Sequence, residues 1–276
     1  MTGHPSALPL KTDVRLVYWL SLALAGLLAA AAVTGLLYGM RGLYEPYPAS
    51  QPGIIGQDIV MLAGGVPLLL VSMWLTRRGS LVGIFLWAGT LFYAAYTYYF
   101  MAVGAFNALF PIYVAIVALG TYGLLALLFR VDTQTLARRL SDTAPRRATA
   151  GFFFVIVGLF TLTWGGLVVS TVAQGAELNP VQHLVVAIDG AILLPVLFYA
   201  GVQLWRGAAS GILLGGMLLV KSAATGLTLA FTGAFAMWWN RAFDPFEAFL
   251  IVIFGTMTIS AVVLLLLYPR SVGRPG

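Results

Sequence analysis

Eight long apolar runs constrain this chain more than any other feature of its sequence. Each run holds about 20 or more residues, enough to cross a ~30 Å hydrocarbon core as an α-helix, and short polar breaks separate the runs. The chain is 61% hydrophobic and 9% charged, whereas a soluble domain is roughly 25% charged. We therefore predict an all-α fold, a polytopic transmembrane bundle of about eight helices. The predicted spans are Val17–Met40, Ile54–Leu75, Leu81–Val103, Ala108–Phe129, Ala150–Val172, Pro180–Trp205, Gly211–Phe235 and Phe246–Tyr268.

The positive charges are distributed unevenly between the two sides of this predicted bundle. Twelve of the fifteen Lys and Arg residues lie in the connections on the side of the N-terminus, two lie on the other side, and Lys221 lies inside a run. Such an asymmetry predicts that both termini are cytoplasmic. Because the net charge of +6 is explained by membrane orientation, we predict the lipid bilayer as a partner and no nucleic acid. The oligomeric state is left open.

The scarcity of metal and haem ligands narrows the possible cofactors. The chain has no cysteine, which excludes thiolate metal sites and iron–sulfur clusters. Its two histidines, His4 and His183, do not provide a pair of intramembrane ligands for haem. P-loop, dinucleotide-binding and hydrolase motifs are also missing from the sequence. We predict no cofactor, no metal site and no catalytic residue.

The two halves of the sequence resemble each other weakly. Gln57-Asp58 followed by Gly64-Gly65 aligns with Gln182-His183 followed by Asp189-Gly190 at a constant offset of 125 residues. We therefore predict two tandem four-helix repeats in one membrane domain, related by an axis along the membrane normal. Asp58 and His183 would then lie at the same depth. The predicted repeats are residues 1–140 and 141–276.

Asp189 and Lys221 are the ionisable residues that the sequence places deepest in the bilayer, where a charge costs at least ~2.5–3.5 kcal/mol. Asp189 lies ~13 Å below the outer surface, and Lys221 lies ~15 Å from the inner surface. Because their helices are consecutive, we expect an ion pair, either direct or bridged by a water molecule or a polar side chain. The pair is either a structural lock between two helices or a site that binds a charged ligand or relays protons.

Four further residues are candidates for ligand binding or proton handling. Asp58 and His183 lie near the outer surface, where a carboxylate facing an imidazole can handle protons. Tyr93 and Tyr96 lie deeper on one face of the third span and could line a cavity. The alternatives are a histidine that caps a helix or contacts headgroups, and tyrosines that anchor the outer interface.

Several stretches of the sequence carry a resemblance to a known family. They are Gly56-Gln57-Asp58 through Pro67, Leu75 to Leu81, and Asn179-Pro180-Val181-Gln182-His183 running to Asp189 and Leu193-Leu194-Pro195. With them the chain resembles an uncharacterised family of bacterial polytopic inner-membrane proteins. The resemblance implies a multi-pass protein of the bacterial inner membrane. It implies no mechanism, because no activity is established for the family.

Three interpretations of the function follow. The first is a transporter or small-ligand binding protein whose polar site, in the outer half of the bundle, takes a small molecule or a lipid and is approached past Asp58 and His183. The second is a structural or accessory membrane subunit without chemistry of its own. The third is a membrane-embedded enzyme that acts on a lipid, and it is less favoured because the sequence offers no recognisable nucleophile or metal constellation.

Overall fold

Eight helices long and apolar enough to cross a membrane make up most of the protein, which confirms the predicted multi-pass helical fold. The computed structural model describes residues 8–45, 51–104, 106–140 and 144–268. The fourth and fifth spans are separated by one short helix, and the described residues form no β-strand. The helices are α1 (Arg15–Arg41), α2 (Gln51–Arg77), α3 (Leu81–Gly104), α4 (Phe110–Arg130), α5 (Thr133–Leu140), α6 (Arg146–Ala173), α7 (Pro180–Trp205), α8 (Ala209–Asn240) and α9 (Pro245–Leu267).

Two helix ends lie further out than the sequence predicted. Helix α6 begins at Arg146 rather than Ala150, and α8 continues to Asn240 rather than Phe235. The α6 extension begins with Arg146 and Arg147, which a count of apolar residues assigns to the connection, and the α8 extension carries Trp238, Trp239 and Asn240, of which the tryptophans are typical of the interface. A helix satisfies its backbone hydrogen bonds internally and can therefore extend beyond the hydrocarbon into the interface.

The eight spans alternate in direction, so their connections form two faces of the bundle. We call the face that carries Arg77, Arg130 and Arg206 the arginine-rich face, and the face that carries Glu177 and Asp244 the opposite face. The short helix α5 lies on the arginine-rich face and packs against α8. The predicted boundary between repeats falls next to residues 141–143, which lie outside the described residues, as do both chain ends.

Helices α3 and α8 form the centre of the bundle and pack directly against each other. Most residues in the apolar segments of α3 and α8 are buried, whereas few residues in those of α6 and α9 are buried. Helix α6 packs mainly on α7, and α9 packs mainly on α8. Helices α6 and α9 approach each other at few positions, so a space remains between them.

The second and sixth spans each contain a π-helical turn in the middle of the membrane. In α2 the turn covers Met61–Gly65, and in α7 it covers Asp189–Leu193. A proline follows each turn, Pro67 in α2 and Pro195 in α7. Because proline lacks an N–H group and its ring clashes with the carbonyl four residues earlier, the helix widens locally to accommodate it. Such turns are frequent at functional sites.

The same two helices also end alike and connect alike to the next helix. Gly79 and Gly207 end them with positive φ angles of 87° and 71°, a conformation that glycine adopts without strain. A methyl group added to either Gly83 or Gly211 would lie 2.6 Å from a backbone nitrogen of the preceding helix. Glycine at these two positions therefore lets the consecutive helices approach closely.

These structural matches share one offset of 128 residues, as from Pro67 to Pro195 and from Gly83 to Gly211. The offset differs from the 125 residues used to align the sequence halves. In the structural register Asp189 corresponds to Met61, and Asp58 corresponds to Val186 rather than to His183. The matches concern the second and sixth spans and the turns that follow them. The superposition of two complete four-helix halves stays a prediction.

Candidate functional site

The π-helical turn of α7 positions the buried carboxylate of Asp189. Asp189 is the first residue of this turn, and its carbonyl oxygen accepts the hydrogen bond of the Leu194 N–H. It lies nine residues after Pro180, the first residue of α7, which places it roughly 14 Å below the opposite face. Its exposure is 4%. A carboxylate buried to this extent requires polar partners.

Two neighbouring helices provide those partners. The Tyr96 hydroxyl of α3 donates a hydrogen bond to Oδ1 of Asp189. The indole Nε1–H of Trp164, on α6, donates a hydrogen bond of 3.0 Å to Oδ2. Each carboxylate oxygen thus accepts one hydrogen bond, and the three helices are joined through one side chain.

Lys221 lies next to this carboxylate without a direct ion pair. Its ammonium lies 3.7 Å from the centre of the Tyr96 ring and 6.0 Å from that of Phe92. Both Lys221 and Asp189 are described, and no N–O distance between them is within 4.0 Å. Tyr96 therefore lies between the two charges, with its ring against the ammonium and its hydroxyl on the carboxylate. The ring face attracts the cation, but it does not accept a conventional hydrogen bond.

The Lys221 ammonium has no hydrogen-bond acceptor among the described residues. Its exposure is 2%, so bulk water surrounds little of it. One helical turn later, the Thr225 hydroxyl oxygen is also buried and has no hydrogen-bond partner. Residues four positions apart lie on the same face of a helix. Lys221 and Thr225 therefore lie on one face of α8, and neither polar group has a hydrogen-bond partner among the described residues.

Lys221 and Thr225 both line a cavity of about 900 Å³. The cavity extends from the opposite face, at Asn179 and Gln182, to the middle of the membrane, at Asp189 and Leu197. Its volume lies within the ~300–1,000 Å³ typical of pockets for small organic ligands. The cavity includes the space between α6 and α9. There the rings of Phe160 and Phe254 stack with their centres 6.3 Å apart.

Four of the six residues predicted from the sequence lie at this cavity: Asp189, Lys221, Tyr93 and Tyr96. Tyr93 is buried, and its hydroxyl forms a hydrogen bond of 2.7 Å with that of Thr228. In the structural register Tyr93 is the counterpart of Lys221, as Met61 is of Asp189. At the offset of 128 residues, the charged residues Asp189 and Lys221 thus match the uncharged residues Met61 and Tyr93.

The structure does not bring the other two predicted residues to the cavity. Asp58 is 3% exposed and accepts a hydrogen bond of 2.6 Å from the Tyr44 hydroxyl. Tyr44 lies in the connection after α1, where burial and the nearby Asp58 carboxylate raise its pKa, so its hydroxyl stays protonated and can donate. His183 is exposed on α7, and the residue next to Asp58 that does line the cavity is Gln57. A functional role for Asp58 and His183 stays a prediction.

Sequence reasoning missed Trp164, Thr225 and the π-helical turn. The turn had a signal, since Pro67 and Pro195 stand at the same offset as the glycines that follow their helices. Trp164 had none, because a tryptophan within an apolar run is most simply explained by its hydrophobicity. Thr225 also carried no signal, because the lack of a partner for a hydroxyl becomes visible only in three dimensions.

Metal binding and known relatives offer no further guide to this site. Within the described parts of the chain, no group of three or more His, Cys, Asp or Glu side chains is arranged to hold a metal ion. Comparisons of the chain with protein-family models, with curated proteins and with solved structures find no match.

Proposed function

We propose that this multi-pass membrane protein binds a small molecule in the cavity at Lys221, as a transporter or small-ligand binding protein does. The observation that carries this proposal is that Lys221, whose ammonium has no hydrogen-bond acceptor among the described residues, lines a cavity of about 900 Å³. An ammonium buried without an acceptor is costly. A protein that keeps such a group gains from it when a ligand supplies the missing acceptor.

The position of the cavity also suits a transporter. The cavity extends from one face of the bundle to the middle of the membrane and ends beside a π-helical turn. Local irregularities in membrane helices frequently surround substrate sites near the bilayer midplane. We propose the bacterial inner membrane as the location, with both termini cytoplasmic, so that the cavity faces outward. Kinship with the uncharacterised bacterial family that the sequence resembles is part of the same proposal.

The second candidate function is a structural or accessory subunit. It is supported by the hydrogen bonds of Asp189, which join α3, α6 and α7. In that case Lys221 would serve mainly to offset the carboxylate charge. The two functions therefore make opposite predictions for the removal of the Lys221 charge.

Replacement of Lys221 by methionine distinguishes them. If the ammonium awaits a ligand, Lys221→Met removes an unpartnered buried charge, while Asp189 keeps its hydrogen bonds from Tyr96 and Trp164. The variant should then equal or exceed the parent in stability, since residues kept for function often reduce stability. If the pair is structural, the variant leaves a buried charge uncompensated and should lose about 3–5 kcal/mol.

The measurement is the free energy of unfolding of the ligand-free protein in mixed micelles. Lys221→Arg is the matched control, because it keeps the charge at the same position. A large loss of stability in Lys221→Met with little loss in Lys221→Arg would favour the structural subunit and contradict the proposed binding function.

A further inference from the structure

We infer that the ligand of this cavity is an amphipathic organic anion, with a singly charged head such as a carboxylate on Lys221 and an apolar tail among aromatic side chains. This inference rests on the proposed binding function and specifies its ligand class.

The sign of the ligand charge follows from the state of the two charged side chains in the cavity. Both oxygens of Asp189 already accept hydrogen bonds, from Tyr96 and Trp164. The ammonium of Lys221 has three N–H groups and no acceptor among the described residues. A ligand that supplies an acceptor therefore finds unused N–H groups at Lys221, whereas each carboxylate oxygen of Asp189 already has one donor.

The Thr225 hydroxyl provides a second donor for the same head group. Thr225 lies one turn after Lys221 on α8 and lines the cavity, and its buried hydroxyl, which has no hydrogen-bond partner among the described residues, would turn toward the cavity to reach the head group. An ammonium and a hydroxyl spaced in this way can each donate to one oxygen of a carboxylate. Hydrogen bonds to an ionised group are roughly twice as strong as neutral ones. Because the Asp189 carboxylate lies beside the same ammonium, each further negative charge on a ligand would be repelled, which favours a monoanion over a dianion.

The rest of the cavity suits an apolar tail. Beyond Lys221 the wall includes Phe160, Trp164, Phe254 and Met257, on helices α6 and α9, which approach each other at few positions. Apolar and aromatic surface of this kind binds hydrocarbon or aromatic groups by excluding water. An anion with a tail would thus be held at its head by hydrogen bonds and along its length by burial.

The test compares probes that share one tail and differ in the head. Decanoate, decanol and decylammonium are titrated into the full-length protein in zwitterionic nanodiscs, and calorimetry measures saturable binding beyond that to empty discs. Decanoate should bind at least about tenfold more tightly than the other two, the difference that one charge-assisted hydrogen bond provides. The preference should be lost in Lys221→Met, kept in Lys221→Arg and reduced several-fold in Thr225→Val.

The outcomes separate the ligand class from the binding function. Equal saturable binding of all three probes, or a preference for decylammonium, would overturn the anion while leaving a cavity that binds small molecules. No saturable binding of any probe would contradict the proposed function itself. The water-soluble anion 3-phenylpropionate forms a second arm. If it competes with decanoate the ligand class includes anions from water, and if decanoate alone binds the class is that of membrane-borne acids.

Discussion

The hydrogen bond from Tyr96 to Asp189 offers the sharpest test of the site geometry, because one atom can be removed with little other change. Tyr96→Phe deletes the donor and keeps the ring, so the contact of the ring with Lys221 is preserved. The carboxylate then keeps one hydrogen bond, from Trp164. A hydrogen bond to a charged group contributes about 1.5–3 kcal/mol. We expect the variant to lose stability in that range.

Tyr99→Phe on the same helix is the matched control. Tyr99 is 37% exposed, so its hydroxyl contacts the surroundings of the bundle, and its loss should change stability by no more than about 0.5 kcal/mol. The assay is equilibrium unfolding by denaturant in mixed micelles, monitored by circular dichroism. Unfolding free energies of parent, variant and control are compared when all three show the same dependence of that free energy on denaturant concentration.

A double-mutant cycle with Asp189→Leu then isolates the interaction. In the Asp189→Leu background the Tyr96 hydroxyl has lost its acceptor, so Tyr96→Phe should be neutral or stabilising. The effect of one substitution thus changes from destabilising to neutral or stabilising between two backgrounds. If Tyr96→Phe costs the same in both backgrounds, or nothing in the parent, the hydrogen bond does not stabilise Asp189 and the site as described is wrong.

Three further predictions concern packing, topology and the first half of the chain. Gly211→Ala should destabilise the protein by about 1–3 kcal/mol in the same assay because of its close approach to backbone, whereas Gly190→Ala, where nothing lies within 4 Å of the added methyl, should not. A cysteine introduced at Arg139 should react with an impermeant thiol reagent only from the cytoplasm, and one introduced at Glu177 only from outside. The reverse pattern would contradict the orientation that the arginines predict. Tyr44→Phe should cost about 1.5–3 kcal/mol, since it removes a hydrogen bond to a buried carboxylate, and an unchanged unfolding free energy would show that this contact is not stabilising.

The number and positions of the spans could be predicted because the bilayer imposes one length on every crossing helix. The apolar runs give that length directly, and the largest differences arose where helices such as α6 and α8 extend into polar interface. Asp189 and Lys221 could also be identified, because any charge within an apolar run is conspicuous. These predictions depend on properties that a residue carries whatever its neighbours are.

The partners of those charges could not be predicted, because they depend on how helices distant in sequence pack. Tyr96 and Trp164 come from α3 and α6, and nothing in their local sequence indicates that both point at one carboxylate. The matches between the second and sixth spans also differ in register from the alignment of Asp58 with His183. The sequence alignment of the two halves rests on polar residues. The second and sixth spans of the structure instead match at proline and glycine positions, which govern backbone geometry. Backbone-determining residues would have given the offset of 128 shown by Pro67 and Pro195.

The most direct test of a ligand cavity at Lys221 is the accessibility of Thr225 to water. The chain contains no cysteine, so the Thr225→Cys variant carries a single thiol. Ser21→Cys is the control, because Ser21 is buried away from the cavity. Its hydroxyl accepts a hydrogen bond of 2.8 Å from the Trp87 indole. An impermeant thiol reagent should modify Thr225→Cys from the opposite face, where Asn179 lies, and leave Ser21→Cys unmodified. Equal protection of both cysteines, or modification of Thr225→Cys from the arginine-rich face, would contradict a binding cavity that opens on the opposite face.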